Sequence, residues 1–309
     1  MSEINKDYPG MKFRELLEKD VEQYEQAIHD NPNEASNYVD LAEAFTILWC
    51  YGFYPRSATF PKSLEAAVKA IEIDTKLGLA HTILGLVKLS DWDWTAAEKE
   101  FRCAIELNPE ESKSHHWYAL YLAAMGRHKQ ALNESRKAVK LDPSPSYKIG
   151  FASILYFARD FTRMMDYLKE VITFNPQFAP SYDWLGMSYV QLERFDEAIK
   201  VYRKAVRLSD SAAEVLAGLG HAYGVAGRID EAQAVCDKLI TLAKRWYIPP
   251  VQIAFVLVSL GEKDRAFELL ERAYIERSWE LIFIREEPWL DDLRSDPRFD
   301  NLLKRMHFH

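Results

Sequence analysis

Residues 76–109 read KLGLAHTILGLVKLSDWDWTAAEKEFRCAIELNP, and residues 110–143 read EESKSHHWYALYLAAMGRHKQALNESRKAVKLDP. Both stretches contain 34 residues in the same order: a helical segment with a small central residue, a turn, and a second helix ending in proline. Three pairs of positions carry the correspondence: Ala97 and Ala131, Ala104 and Ala138, and Pro109 and Pro143. A fixed period of about 20–50 residues indicates a repeat architecture. The repeat therefore decides the fold prediction.

A small residue recurs in the middle of the first helix of every unit along the chain. The seven positions are Ala42, Gly85, Ala119, Ser153, Gly186, Gly220 and Ala254. Since the axes of packed helices lie about 8–10 Å apart, a large side chain at a crossing would separate them. We therefore predict seven helical hairpins that cross at these positions. Gly126, Gly227 and Gly261 fit the left-handed residue that often ends a first helix.

The register also predicts the boundaries of a single domain that spans the whole chain. Residues 13–32 match only the second half of a unit, which is typical of an N-terminal capping helix. Residues 35–278 contain the seven hairpins, with an aromatic insertion at 49–62 that either packs on its neighbours or forms a rim of a binding surface. Residues 279–309 leave the pattern and predict a C-terminal cap, in which Asp296-Pro297 starts the last helix.

Composition argues against several kinds of partner and location. The net charge of −8 and the isoelectric point near 5.6 are unfavourable for binding nucleic acid, whose phosphates attract an excess of Lys and Arg. No window approaches 18 apolar residues and the N-terminus lacks the apolar run of a signal peptide, so no membrane association is expected. Three cysteines without CxxC spacing fit a reducing compartment, and the predicted location is the cytoplasm.

The 34-residue period with its Ala…Ala…Pro second helix resembles the tetratricopeptide repeat (TPR) over about residues 13–278. Residues 91–127, 259–279 and 293–306 further resemble the TPR tails of multidomain bacterial regulators, which follow a winged-helix, adenylate-cyclase or protein-kinase head. No such head is recognised before Phe13, so the chain is expected to be the docking half alone. The resemblance implies an all-α fold, a right-handed α-solenoid of about seven TPR-like hairpins capped at both ends.

In the TPR family the first helices build a concave face along which partners lie. The residues at the corresponding positions are Glu43, Thr82, Leu86, His116, Trp117, Leu120, Tyr147, Phe151, Ile154, Asp183, Trp184, Met187, His221 and Phe255. The family's carboxylate clamp for chaperone tails needs Lys and Asn on neighbouring first helices, and these residue types are missing there. The groove is aromatic and aliphatic instead, which favours an amphipathic helix or an apolar peptide.

Residues that could carry chemistry do not form a recognisable site in the sequence. His115 and His116, with His81 one repeat earlier, are the only concentration of histidines. A zinc site needs three or four converging ligands, whereas adjacent residues on a helix point about 100° apart. Asp183, Asp196 and other carboxylates have no nucleophile beside them, and the common catalytic and nucleotide-binding motifs are missing. We predict no catalytic residue, metal or cofactor.

The sequence therefore predicts a non-catalytic scaffold that binds a protein or peptide on its concave face. Two alternatives stay open: a sensory module whose groove takes an apolar small molecule, and an enzyme built on helical repeats. Self-association through the ends of the solenoid is a further alternative, because an exposed end can stack on a second copy.

Overall fold

The computed structural model describes residues 11–308, and the regular structure within that range is entirely helical. Helix α1 (Met11–Asp30) leads into seven hairpins. Their paired helices are α2 (Ala35–Cys50) and α3 (Arg56–Ile73), α4 (Gly78–Ser90) and α5 (Trp94–Leu107), α6 (Ser112–Ala124) and α7 (His128–Leu141), α8 (Pro145–Phe157) and α9 (Phe161–Phe174), α10 (Ala179–Gln191) and α11 (Phe195–Leu208), α12 (Ala213–Val225) and α13 (Ile229–Ala243), and α14 (Pro250–Ser259) and α15 (Lys263–Glu276). The prediction of an all-α solenoid of seven hairpins is confirmed.

The chain divides into two compact units, which are described separately below. The N-terminal unit contains residues 12–143 together with residues 276–282. The C-terminal unit contains residues 144–275 together with residues 283–308. Each unit thus combines a run of hairpins with a piece of the chain that follows α15.

All seven predicted small residues are buried, and the three glycines among them lie against a side chain of the second helix of their own hairpin. A Cβ atom built on Gly85 would lie 2.7 Å from the ring of Phe101, and one built on Gly186 would lie 2.5 Å from the ring of Tyr202. Real Cβ atoms do not approach an aromatic ring so closely. In these hairpins a ring from the second helix therefore rests directly on the backbone of the first.

One residue in the left-handed conformation ends the first helix of every hairpin, with φ between 57° and 74°. The residues are Gly52, Trp92, Gly126, Arg159, Glu193, Gly227 and Gly261. In each turn the next residue donates its backbone N–H to the carbonyl five positions earlier, at 2.8–3.0 Å. This is the bonding of a Schellman cap, which satisfies carbonyls at a helix end. The left-handed glycines predicted at three turns are confirmed, while three other turns impose that conformation on Trp, Arg or Glu.

The aromatic insertion lengthens the first hairpin instead of forming a long loop. Only Tyr51–Pro55 is non-helical, and α3 continues through Pro61. The Trp49 ring lies 4.6 Å from that of Phe60, edge to face, and both side chains are buried. Most of the insertion therefore packs within the N-terminal unit, although Tyr51 stays exposed.

Two short 3-10 helices follow α15, at Trp279–Phe283 and Pro288–Leu293, before the last helix α16 (Pro297–Arg305). Helix α16 begins at the predicted cap: the Asp296 carboxylate accepts the backbone N–H of Arg298 at 2.9 Å. The Arg298 guanidinium lies over the ring of Phe267 and pairs with Asp264 at 2.9 Å, so α16 covers α15. Residues 279–293 were expected in the same cap, but they contact first helices, as described below.

The crossing geometry predicts the effect of filling the space at Gly186. Gly186→Ala should destabilise the protein by about 1–3 kcal/mol, because the new methyl group overlaps a ring with no room to move. Thermal unfolding followed by circular dichroism measures the loss. The cost should shrink in a Tyr202→Leu background, since the overlapping ring is then absent. A Gly186→Ala variant that melts with the wild type would contradict this packing.

The turns predict opposite effects for two exchanges at the same repeat position. Glu193→Gly should stabilise by about 0.5–1 kcal/mol, since a left-handed residue with a Cβ costs roughly 1–2 kcal/mol and the greater unfolded-state entropy of glycine offsets only part of it. Gly227→Ala should destabilise by about 1 kcal/mol through backbone strain alone, because nothing lies within 4 Å of the added Cβ. Chemical denaturation of both variants checks the signs, and two shifts in the same direction would refute the explanation.

Candidate functional site

The first helices of the N-terminal unit keep some of the predicted site residues accessible. Glu43 on α2 accepts a hydrogen bond from the Lys113 ammonium of α6 at 2.5 Å, and both side chains are partly exposed. His116 and Trp117, also on α6, are partly exposed and their rings lie 5.1 Å apart. This accessible set is called the N-face below. It combines an ion pair with two aromatic rings.

The other predicted residues of this unit serve the packing between helices. Thr82, Leu86 and Leu120 are buried. The Thr82 hydroxyl lies 2.7 Å from that of Ser114, which ties α4 to α6. These residues support the N-face from below, and a partner could reach them only if the helices separated.

Burial shapes the electrostatics of the N-face. Neighbouring groups desolvate the partly exposed ring of His116 and lower its pKa to about 4, so the imidazole is neutral at pH 7. Burial also raises the pKa of Asp40, one turn before Glu43, although the Lys113 charge opposes the shift. The N-face therefore offers a neutral ring beside a small group of opposite charges.

The remaining histidines of the predicted concentration link the two helices of their own hairpins. His81 lies 2.7 Å from Glu100, and His115 lies 2.6 Å from Glu134 one repeat later. The other ring nitrogen of His115 lies 2.8 Å from the carbonyl of Pro109. Because a carboxylate and a carbonyl can only accept, these two contacts favour the protonated ring of His115, in which both nitrogens donate. Burial would lower the pKa of His115, but these hydrogen bonds outweigh it and raise the pKa.

Residues 276–282 lie against the first helices of the same unit. The Trp279 ring packs edge to face on the rings of Trp49 and Trp117, with centroid distances of 5.3 and 5.8 Å. The Trp49 indole N–H donates to the carbonyl of Arg277 at 3.1 Å. The Arg277 guanidinium lies over the ring of Trp92. The chain after α15 thus covers one edge of the N-face beside Trp117.

The predicted residues of the C-terminal unit are mostly covered. Phe151, Ile154, Met187, His221 and Phe255 are buried, whereas Tyr147, Asp183 and Trp184 are partly exposed. The Phe151 ring packs on Tyr167 of its own hairpin at 5.0 Å. Trp184 lies edge-on to the rings of Tyr156 and Phe157 on α8.

The first helices of the C-terminal unit carry a segment of the same chain, residues 283–293, which we call the return segment. The Phe283 ring stacks on Phe157 of α8, with centroids 4.6 Å apart. The Trp289 ring stacks on His221 of α12 at 4.3 Å and meets Phe255 of α14 edge to face at 5.2 Å. Two of the fourteen predicted site residues, His221 and Phe255, therefore bind an aromatic side chain that the protein itself supplies.

Polar contacts fix the return segment at two further points. The Tyr156 hydroxyl donates to the Glu287 carboxyl at 2.5 Å. The two terminal nitrogens of the Arg159 guanidinium donate to the Asp291 carboxylate, at 2.6 and 2.7 Å. Arg294 donates to backbone carbonyls of Arg285 and Glu287, which holds the segment in its own turn. We call the surface that holds the return segment its seat. The seat consists of Tyr156, Phe157, Arg159, His221 and Phe255, and it binds two rings and two carboxyl groups.

Several carboxyl groups of this unit lie in surroundings that oppose ionisation. Burial raises the pKa of Glu287 to about 7. Burial and the neighbouring charge of Glu214 raise the pKa of Asp183 to about 8, and burial raises the pKa of Glu214 to about 7. Burial, together with the charges of Asp183 and Glu287, raises the pKa of Tyr202, whose hydroxyl has no hydrogen-bond partner among residues 11–308.

Sequence reasoning missed the residues that hold the return segment, above all Tyr156 and Arg159. Both stand at the end of a first helix, outside the family positions used for the prediction, and Arg159 occupies the left-handed turn position. A signal was present in residues 285–292, REEPWLDD, where an aromatic residue and a proline interrupt a run of charges after the repeats end.

Residues 11–308 hold neither a metal-binding cluster nor a membrane-spanning helix. Within that range no three His, Cys, Asp or Glu side chains converge as a metal site would require. No helix in the same range has the length and hydropathy needed to cross a membrane.

Comparison with known proteins supports the repeat. Residues 186–227 match a family model described as "TPR repeat", and residues 112–145 match one described as "Tetratricopeptide repeat". The transcriptional regulator HilA of Salmonella typhimurium is 27% identical over 119 residues. The match covers 38% of this chain and only 22% of HilA, so the chain corresponds to about a fifth of that regulator.

Solved structures share the fold at low sequence identity. Cut9 with Hcn1 from the APC/C covers 98% of this chain and 53% of its own, at 14% identity and a TM-score of 0.65. Yeast Tom70 covers 99% of this chain and 65% of its own, at 18% identity and a TM-score of 0.56. PilW, a type IV pilus biogenesis factor, covers 72% of this chain and 98% of its own, at 17% identity and a TM-score of 0.55. These similarities concern the fold alone.

The His115 imidazolium predicts a pH-dependent contribution to stability. A pKa raised by folding stabilises the protein fully below the unfolded value of about 6.5, and this stabilisation is lost as the pH rises through the folded pKa. Wild type should therefore exceed His115→Gln in stability by about 1–2 kcal/mol at pH 5.5 and by less at pH 8.5. Thermal unfolding at both pH values measures the difference. Glu134→Gln should weaken the pH dependence in the same way, and an unchanged difference would contradict the assignment.

Proposed function

Since the chain contains tetratricopeptide repeats, we propose that it acts as a scaffold for protein–protein interaction and binds its partner on the N-face. The observation that carries the proposal is the accessibility of Glu43, Lys113, His116 and Trp117 above a fully packed layer of first helices. A surface that is already ordered before binding loses little conformational entropy when a partner docks.

The chemistry of the N-face suggests what the partner presents. His116 is neutral at pH 7 and stands beside Trp117, so an apolar or aromatic side chain fits there better than a charged one. The Glu43–Lys113 pair lies across the same face and can hydrogen-bond a polar side chain on the partner. An amphipathic helix or a peptide with one apolar side supplies both kinds of group.

We extend the proposal to the setting in which the protein works. Cys50, Cys103 and Cys236 form no disulfide, which supports a reducing compartment such as the cytoplasm. The partial similarity to a transcriptional regulator supports a regulatory pathway as the source of the partner. No reaction is assigned to the chain.

A comparison of two double variants tests the N-face. Glu43→Ala/His116→Ala should lose a partner that co-purifies with the wild type, because both substitutions remove groups that the partner contacts. Lys99→Ala/Lys129→Ala changes exposed side chains on the second helices α5 and α7 and should retain it. Quantitative mass spectrometry of tagged protein purified from its native cells measures the loss, with helix content checked by circular dichroism. Equal recovery with both folded variants would remove the N-face from the proposal.

A further inference from the structure

The return segment is placed like a bound peptide. It belongs to no hairpin, and its aromatic side chains contact the first helices α8, α12 and α14, while Asp291 contacts Arg159 just beyond the end of α8. We propose that residues 283–293 are an intramolecular ligand, and that a partner segment with an aromatic side chain flanked by carboxylates binds the same face by displacing them. This inference rests on the proposed scaffold function but concerns the other unit and another surface.

The seat defines the chemistry of the displacing partner. His221 and Phe255 form two sides of an aromatic slot that accepts a flat ring, here that of Trp289. Arg159 presents its guanidinium in the geometry that binds a carboxylate through two hydrogen bonds, here Asp291. Tyr156 donates to a second carboxyl group, that of Glu287. An acidic segment containing a tryptophan satisfies all three groups, whereas a basic one would oppose Arg159.

The outer contact of the return segment is open to competition. Both side chains of the Arg159–Asp291 pair are almost half exposed, at 45% and 41%. An ion pair so accessible to water contributes little to stability, about 0–1 kcal/mol. A competing carboxylate can therefore reach Arg159 before the rest of the return segment has left its seat.

The docked state also leaves a hydrogen bond unmade. The Trp289 indole N–H is buried and has no hydrogen-bond partner among residues 11–308. A buried donor without a partner makes the docked arrangement less favourable than its buried area suggests.

Peptide binding to the full-length chain tests the inference. The probe is a fluorescein-labelled peptide with the sequence of residues 283–293, FIREEPWLDDL, and its anisotropy is measured. Wild type should bind it weakly, because a tethered occupant competes at an effective concentration on the order of mM. Asp291→Asn and Trp289→Ala weaken the occupant and should both bind the probe more tightly, Asp291→Asn by about two- to fivefold and Trp289→Ala by at least tenfold. Asp300→Asn removes a comparable exposed carboxylate on α16 and should bind like the wild type.

Two further measurements decide between displacement and a purely structural role. Adding Arg159→Ala to Asp291→Asn should abolish the gain, since the probe needs the same guanidinium. A peptide with Ala for its Trp and amides for its acids should not bind. The inference is overturned if folded Asp291→Asn and Trp289→Ala bind the probe no better than wild type, or bind both peptides equally. If Trp289→Ala unfolds, Asp291→Asn decides alone, because its side chain is exposed.

The N-face double variant separates this inference from the proposed function. Glu43→Ala/His116→Ala leaves the seat of the return segment intact, so adding it to Asp291→Asn should not change the affinity for the probe. A probe that binds through the N-face would lose affinity in that background, which would overturn the inference. Loss of the co-purified partner in the same variant bears on the N-face alone.

Discussion

The close approach of the two helices in each hairpin is the constraint on which the rest of the structure depends. At Gly85 and Gly186 the approach is so close that an aromatic ring lies on the backbone itself. The same spacing aligns the first helices of successive hairpins, and this alignment brings His116 and Trp117 together with Glu43 on one face. A wider crossing at a hairpin would move the face that its own unit presents.

The fold could be predicted from sequence because the constraint repeats. Small residues returning at a fixed interval predicted the hairpins and their crossings, and glycines predicted three of the left-handed turns. The turns at Trp92, Arg159 and Glu193 were not predicted, because these residues disfavour a conformation that the surrounding helices impose on them. At these turns the geometry of the whole hairpin overrides the conformational preference of the single residue.

The candidate site was less predictable because it depends on a segment outside the repeat. Family positions identified His221 and Phe255, but nothing in their spacing indicated that Trp289 would lie between them. A contact between residues far apart in sequence produces no periodic pattern in the sequence around either residue. The histidines show the same limit: the sequence marked His81 and His115 as unusual, and only the coordinates revealed their glutamate partners.

The position of Tyr202 also bears on how the C-terminal unit comes apart. Its ring contacts the backbone of Gly186 in its own hairpin and that of Gly218 in the next. Opening either hairpin would remove one of these two contacts and expose that side of the ring to water. The cooperativity of unfolding in a repeat protein depends on the contacts between adjacent repeats. A ring shared by two hairpins therefore makes their unfolding more cooperative. They should fray as one block, leaving no state in which only one of them has unravelled.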